Sequence, residues 1–174
     1  MSGKEWSRLF LLSIPVLAGL LFCAGCEKAH PVNIGDTPPA ISGNDINGEY
    51  VSLGKLKGKV VVIYFWTNSC CGASLKELEP FYSLQKYNGL EILAINELDS
   101  EKDVQSYARN NSLSFTQLTD ERSMIQKQYR AFGFPTIFIV DRNGIVREKI
   151  IGAIQTADLE KVIARHLETQ RSTP

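Results

Sequence analysis

The residues of this sequence best suited to chemistry are two adjacent cysteines, Cys70 and Cys71, in the segment Asn68-Ser-Cys-Cys-Gly-Ala-Ser74. A thiolate is the attacking species in disulfide exchange, so either residue can form a mixed disulfide with a substrate. A bond between the two is harder to make. Disulfides hold Cα atoms about 4.4–6.8 Å apart, whereas neighbours across a trans peptide sit near 3.8 Å. A vicinal bridge is therefore expected to need a cis or distorted peptide and to be easily reduced, which suits a switch better than a structural link. The plainer reading makes one cysteine the reactive group and lets its neighbour fill space. Two cysteines fall short of the four N/S ligands of a structural zinc site. Neither His30 nor His166 can be paired with them from sequence, and a soft ion such as Cu(I) has no further support. No metal and no cofactor are expected.

The other two cysteines, Cys23 and Cys26, lie in a segment that reads as an export signal. Lys4 and Arg8 give it a positive start, Leu9 to Phe22 is nearly all apolar, and the small residues Ala24-Gly25 precede Cys26. The apolar run is shorter than the roughly 18–20 residues of a membrane-crossing helix and is interrupted by Ser13 and Pro15. Ala24-Gly25-Cys26 resembles the bacterial lipobox, with Cys23 standing where that pattern usually has Leu. Cleavage before Cys26 would remove Cys23 and block Cys26 with lipid, leaving Cys70 and Cys71 as the thiols. In the oxidising compartment outside the cytoplasm, such a pair is expected to be redox-active.

Residues 1–25 are therefore expected to be a lipoprotein signal peptide, and residues 26–40 a lipid-anchored tether broken by Pro31, Gly35, Pro38 and Pro39. Residues 41–170 are expected to form one domain, because 44% hydrophobic residues in a chain of 174 can build a proper core. Nineteen basic residues balance nineteen acidic ones, which gives no reason to expect nucleic acid or an anionic membrane surface as partner. Contact with the membrane is expected only through lipid on Cys26, and the protein is expected to be a monomer.

Several elements must position the cysteines. Asn47-Gly48 between short segments predicts a type I′ hairpin over residues 41–53. Lys59 to Trp66 is a β-branched and aromatic run without polar alternation, the pattern of a strand covered on both faces. Leu75, Leu78, Phe81, Tyr82 and Gln85 follow helical spacing, with Pro80 as a kink. Leu90 to Asn96 reads as a second buried strand, and residues 101–111 and 121–132 as helices. Residues 136–140 and 145–151 read as strands joined through Asp141-Arg-Asn-Gly144, followed by an amphipathic helix from Thr156. The alternation predicts an α/β fold with a central mixed sheet flanked by helices.

Three separated segments resemble the thioredoxin-like superfamily of the membrane-tethered TlpA/ResA type. Ile34-Gly-Asp-Thr-Pro-Pro-Ala40 with Leu53-Gly-Lys-Leu-Lys-Gly-Lys-Val60 is similar to that family's N-terminal hairpin and first strand. Tyr64-Phe-Trp66, a cysteine and Lys76-Glu77 are similar to its active-site segment. Tyr129-Arg-Ala-Phe-Gly-Phe-Pro-Thr136 with Asp141-Arg-Asn-Gly144 is similar to its cis-proline loop and following hairpin. The resemblance implies a thioredoxin-like fold with an N-terminal β-hairpin extension. It also implies a cis-Pro135 facing the first cysteine, with Phe134 and Pro135 offering backbone to an extended substrate and Trp66 packing beneath.

The family's Trp-Cys-x-x-Cys is missing. Counting from Trp66 makes Cys70 the first cysteine; counting back from Lys76-Glu77 makes it Cys71 and puts Ser74 in the second-cysteine position. The second count is favoured and the first stays open. A serine cannot release a substrate by forming an internal disulfide, so the usual cycle runs only if the neighbouring cysteine takes over. Glu77 matches a family carboxylate that exchanges protons with the thiol, or else it is a solvated helix charge.

The resemblance implies an envelope thiol–disulfide oxidoreductase acting through a mixed disulfide at Cys71 or Cys70. Its partners would be exported thiol or disulfide proteins and an upstream thiol reductant. Two rivals remain: a thiol peroxidase, for which Thr67-Asn-Ser-Cys70 has the Thr-x-x-Cys spacing but Ile63 replaces the upstream proline, and a non-catalytic peptide-binding module.

Overall fold

The computed structural model describes residues 30–169. The expected signal peptide, Cys23 and the lipid-attachment residue Cys26 lie outside the described residues. Among those described, no helix is long and apolar enough to cross a membrane.

Two short strands, β1 (Ser42–Asn44) and β2 (Tyr50–Ser52), pair antiparallel as a small sheet of their own. The turn between them is not the expected two-residue type I′ turn, which needs positive φ at both central residues. Only Gly48 has it, at φ 83°. Asp45 controls the loop instead, its Oδ1 accepting from the backbone N–H groups of Asn47 at 2.8 Å and Glu49 at 2.9 Å.

The main sheet holds β3 (Val60–Trp66), β4 (Leu90–Asn96), β5 (Thr116–Thr119), β6 (Thr136–Val140) and β7 (Val146–Ile151), in the order β5-β4-β3-β6-β7. β3, β4 and β5 run parallel, and β6 and β7 are antiparallel additions. Every residue of β3 is buried, which is why its sequence shows no polar alternation. On one face, Val60, Val62, Tyr64 and Trp66 pack with Leu75, Val104, Ala108, Leu159 and Ile163 of the helices α1 (Asn68–Glu77), α3 (Glu101–Asn110) and α5 (Thr156–Thr169). On the other, Val61, Ile63 and Phe65 pack with Tyr129, Ala131, Val32 and Ile41.

Pro80 does more than kink a helix. Leu78 separates α1 from α2 (Glu79–Gln85), and Pro80 falls in the first turn of α2, where its missing N–H costs nothing. The helix expected over residues 121–132 shrinks to α4 (Met124–Tyr129), because Ser123 and Arg130 both take φ 51° and close it at each end. The expected order of elements lacks β5, whose sequence Thr-Gln-Leu-Thr has one large apolar side chain.

Residues 31–40, expected within the tether, pack on the domain. Val32 is buried, the Gly35 N–H donates to the Val146 carbonyl at 2.8 Å, and Tyr129 Oη donates to the Pro39 carbonyl at 2.6 Å.

Candidate active site

β3 runs out at Trp66, Thr67 takes an extended conformation (φ −137°, ψ 155°), and α1 begins at Asn68. Both cysteines therefore sit in the first turn of a helix that starts where a central strand ends. The N–H groups of Cys70 and Cys71 turn back to the Thr67 carbonyl at 3.4 and 3.2 Å. Their environments differ sharply: Cys70 is exposed, and Cys71 is 2% exposed within the cluster that contains Trp66 and Leu75. The two sulfurs are in bonding contact across a peptide that is not cis, their Cα atoms 3.8 Å apart.

The expected cis bond is present between Phe134 and Pro135. Phe65 pairs with Thr136, so the same antiparallel register sets Pro135 beside Trp66 at the mouth of the β3–α1 junction. The loop is fixed from both sides. Thr136 Oγ1 donates to the Gly133 carbonyl at 2.5 Å, and the Gly152 N–H donates to the Pro135 carbonyl at 2.8 Å. Phe134 is half-buried and packs against the cluster that holds Cys71 and Trp66. Trp66 is wholly buried.

Ser74 is half-buried, one helical turn beyond the cysteines. Glu77 is exposed at the far end of α1, six residues beyond Cys71 and therefore about 9 Å along the axis. Its Oε2 accepts from Thr156 Oγ1 at 2.6 Å, and its charge is the second cause, after burial, that pushes Tyr64 up to about 12. The hydrogen bond the structure gives Glu77 runs to Thr156 at the start of α5. Among the described residues, no group of three or more His, Cys, Asp or Glu side chains could hold a metal ion.

Three neighbours of the site carry no sequence motif. The Asp99 carboxylate accepts from the Asn68 N–H at 2.8 Å, closing the head of α1. Tyr107 packs on Trp66 in a tilted arrangement, ring centroids 5.2 Å apart and planes at 50°, and lies over Gly72. Glu97, whose N–H donates to the Trp66 carbonyl at 3.2 Å, buries its carboxyl beside Asp120 and Ser123. Burial, then the charge of Asp120, pushes that carboxyl up to about 8. A charged residue directly after the strand segment Leu90–Asn96 is the one trace Glu97 leaves in the sequence.

A cysteine pair at the head of the helix after the central strand, with a cis-proline set beside it across a β5-β4-β3-β6-β7 sheet, defines the thioredoxin-like class. The chain belongs to the AhpC/TSA family, whose model matches residues 34–149. It is 31% identical over 140 residues to the thiol-disulfide oxidoreductase ResA of Geobacillus kaustophilus, covering 79% of this chain and 78% of that protein. It is 23% identical to the sporulation thiol-disulfide oxidoreductase A of Bacillus subtilis, covering 92% of this chain and 98% of that one. A crystal structure of a putative thiol:disulfide interchange protein DsbE from Chlorobium tepidum superposes with a TM-score of 0.69 at 25% identity, over 78% of this chain and 99% of that one. By these relationships the protein is a thiol–disulfide oxidoreductase.

Proposed function

We propose that the protein reduces disulfides of exported proteins, with Cys70 as the attacking thiol and Cys71 as the resolving one. The single observation that carries this reading is the contrast in exposure: Cys70 is open to a substrate beside cis-Pro135, and Cys71 is 2% exposed directly behind it. Cys70, as thiolate, attacks one sulfur of a substrate disulfide. That S–S bond breaks, the other substrate sulfur leaves as thiolate, and Cys70 is joined to the substrate. Cys71 gives its proton to water and attacks Cys70 Sγ, releasing the second substrate thiol. Two electrons have passed to the substrate, and the bond left between Cys70 and Cys71 awaits an upstream thiol reductant. Ser74 needs no part in this cycle, since the neighbour of the nucleophile does the work of the missing second cysteine.

Phe134 and Pro135 would hold an extended substrate segment by its backbone, and Trp66 would support the site from below. The lipid on Cys26 would tether the domain at the outer face of a membrane, which the signal-like residues 1–25 and the lipobox-like Ala24-Gly25-Cys26 support.

The test is mass mapping of mixed disulfides on the soluble part from Glu27. Cys71→Ser should accumulate a substrate adduct on Cys70, and Cys70→Ser should abolish insulin disulfide reduction. Adducts confined to Cys71 in the Cys70→Ser chain, with reduction intact, would overturn the assignment. Peroxide consumption with sulfenic acid at Cys70, outpacing disulfide reduction, would replace it with the peroxidase reading. Thr67 Oγ1 pairs with Ser69 Oγ at 3.2 Å, which gives that reading no structural support.

A further inference from the structure

A helix N-terminus offers unpaired N–H groups and a partial positive charge, enough to favour one anion. At the head of α1 that place is already taken. Asp99 Oδ2 accepts from the Asn68 N–H at 2.8 Å, while the N–H groups of Cys70 and Cys71 are turned back to the Thr67 carbonyl. The carboxylate is held firmly. The same Oδ2 accepts from Asn96 Nδ2 at 2.8 Å, and the Asp99 N–H returns a bond to Asn96 Oδ1 at 3.0 Å. Asn96 is 1% exposed and pairs with Trp66 in the sheet, so Asp99 is fixed to the strand beside the one that leads into α1.

We propose that Asp99 is a positioning residue that sets the acidity of Cys70, holding its thiol protonated by filling the anion position at the head of α1. This rests on Cys70 being the attacking thiol. Cys70 lies two residues beyond Asn68, about 3 Å of axial rise, so its thiolate must form beside a like charge, which disfavours it.

The remaining charged or titratable groups around the site do not offset Asp99: the head of α3 carries Glu101, Lys102 and Asp103, all exposed and together of net negative charge. On α1 itself, Lys76 and Glu77 lie well beyond the cysteines, and Glu77 is tied to Thr156. At the end of β4, Glu97 is turned toward Asp120. From α3 comes the Tyr107 hydroxyl at Gly72. The loop Ala131–Pro135 carries no charge.

The consequence concerns the direction of exchange. A cysteine whose thiolate is disfavoured leaves a disulfide slowly and makes a poor oxidant. Asp99 thus biases the site toward giving electrons to substrate disulfides rather than taking them from substrate thiols.

The test is alkylation of the reduced full chain by iodoacetamide across pH, read peptide by peptide for wild type, Asp99→Asn and Asp99→Glu. Asp99→Asn should lower the pH midpoint of Cys70 alkylation by about one unit, a gain of about tenfold at a pH below both midpoints. Asp99→Glu should keep the wild-type midpoint. Should Asp99→Asn fail to fold, Asp99→Ser retains an acceptor without the charge and serves the same readout. A Cys70 midpoint unchanged or raised in the folded neutral variants would overturn the role of Asp99 alone. A wild-type chain alkylated at Cys71 and not at Cys70 would instead overturn the assignment of the attacking thiol on which it rests.

Discussion

Glu97 is 3% exposed at the C-terminal end of β4, and its nearest charged neighbour is the buried Asp120. Asp120 has its own donors, the N–H groups of Met124 and Gln126, each at 2.8 Å. Burial and the neighbouring Asp120 hold the proton on Glu97. With the Glu97 carboxyl raised from 4.5 to about 8, the folded chain binds a proton over that interval that the unfolded chain has lost. Stability must then fall as pH rises from about 4.5 to about 8, each unit of displacement being worth about 1.4 kcal/mol. Glu97→Gln should remove this slope, and chemical denaturation at pH 5 and pH 9 checks it. The wild type should lose on the order of a few kcal/mol more than the variant between the two conditions. At this scale the sequence disclosed what is chemically rare, the cysteine pair and Pro135. It hid Glu97, Asp99 and Tyr107, which are common residue types given their meaning by partners 23 to 41 positions away along the chain. Of the two candidate registers for the cysteines, spacing favoured Cys71 as the first, whereas exposure favours Cys70, because exposure depends on which side of α1 faces the sheet.

At the scale of elements, α1 meets α3 through Gly72 and Tyr107. A Cβ on Gly72 would stand 2.9 Å from the Tyr107 hydroxyl oxygen and 3.0 Å from its Cζ, and that ring is backed by Trp66. Gly72→Ala thus sets two effects against each other: a helix-propensity gain of about 1 kcal/mol and an overpacking cost of about 1–3 kcal/mol. Overpacking should win, so the single variant is expected to be neutral to destabilised. In a Tyr107→Ala background the same change should stabilise by up to about 1 kcal/mol. A double-mutant cycle by denaturant titration measures the difference, and additive effects would mean that the contact does not constrain α1. Long elements were legible because β3 is a continuous apolar run and β4 is apolar but for Glu91 and the terminal Asn96. Those that failed were short and set by local polar geometry: β5 with a single leucine as its large apolar residue, α4 closed by two left-handed residues, and a hairpin turn governed by the Asp45 side chain rather than by Asn47-Gly48.

For the molecule as a whole, the order of segments similar to the family carried the topology, while residues 31–40, expected within the tether, pack on the domain. Pro31, Gly35, Pro38 and Pro39 read as a linker because they forbid helix and strand, yet a segment without regular structure can still close a core. Val32 is buried in the cluster that contains Val61, Phe138 and Val146. The backbone of residues 35–36 exchanges two hydrogen bonds with Val146, at 2.8 and 2.9 Å, and Lys149 Nζ donates to the Val32 carbonyl at 2.8 Å. The Pro39 carbonyl also receives the hydroxyl of Tyr129, whose burial pushes its pKa far up and keeps it a donor at any physiological pH. A chain begun at Ile41 would expose that face of the sheet and leave Tyr129 Oη without its partner. Burial of one valine is worth about 1.5–3 kcal/mol and each of the four hydrogen bonds about 1 kcal/mol, so the truncation should cost roughly 5–7 kcal/mol. A chain begun at Pro31 should lose none of this. Equal melting temperatures for the two truncated chains would show that residues 31–40 are only a tether. A lower one for the shorter chain would place the start of the folded unit ahead of β1, and with it the end of any lipid-anchored linker.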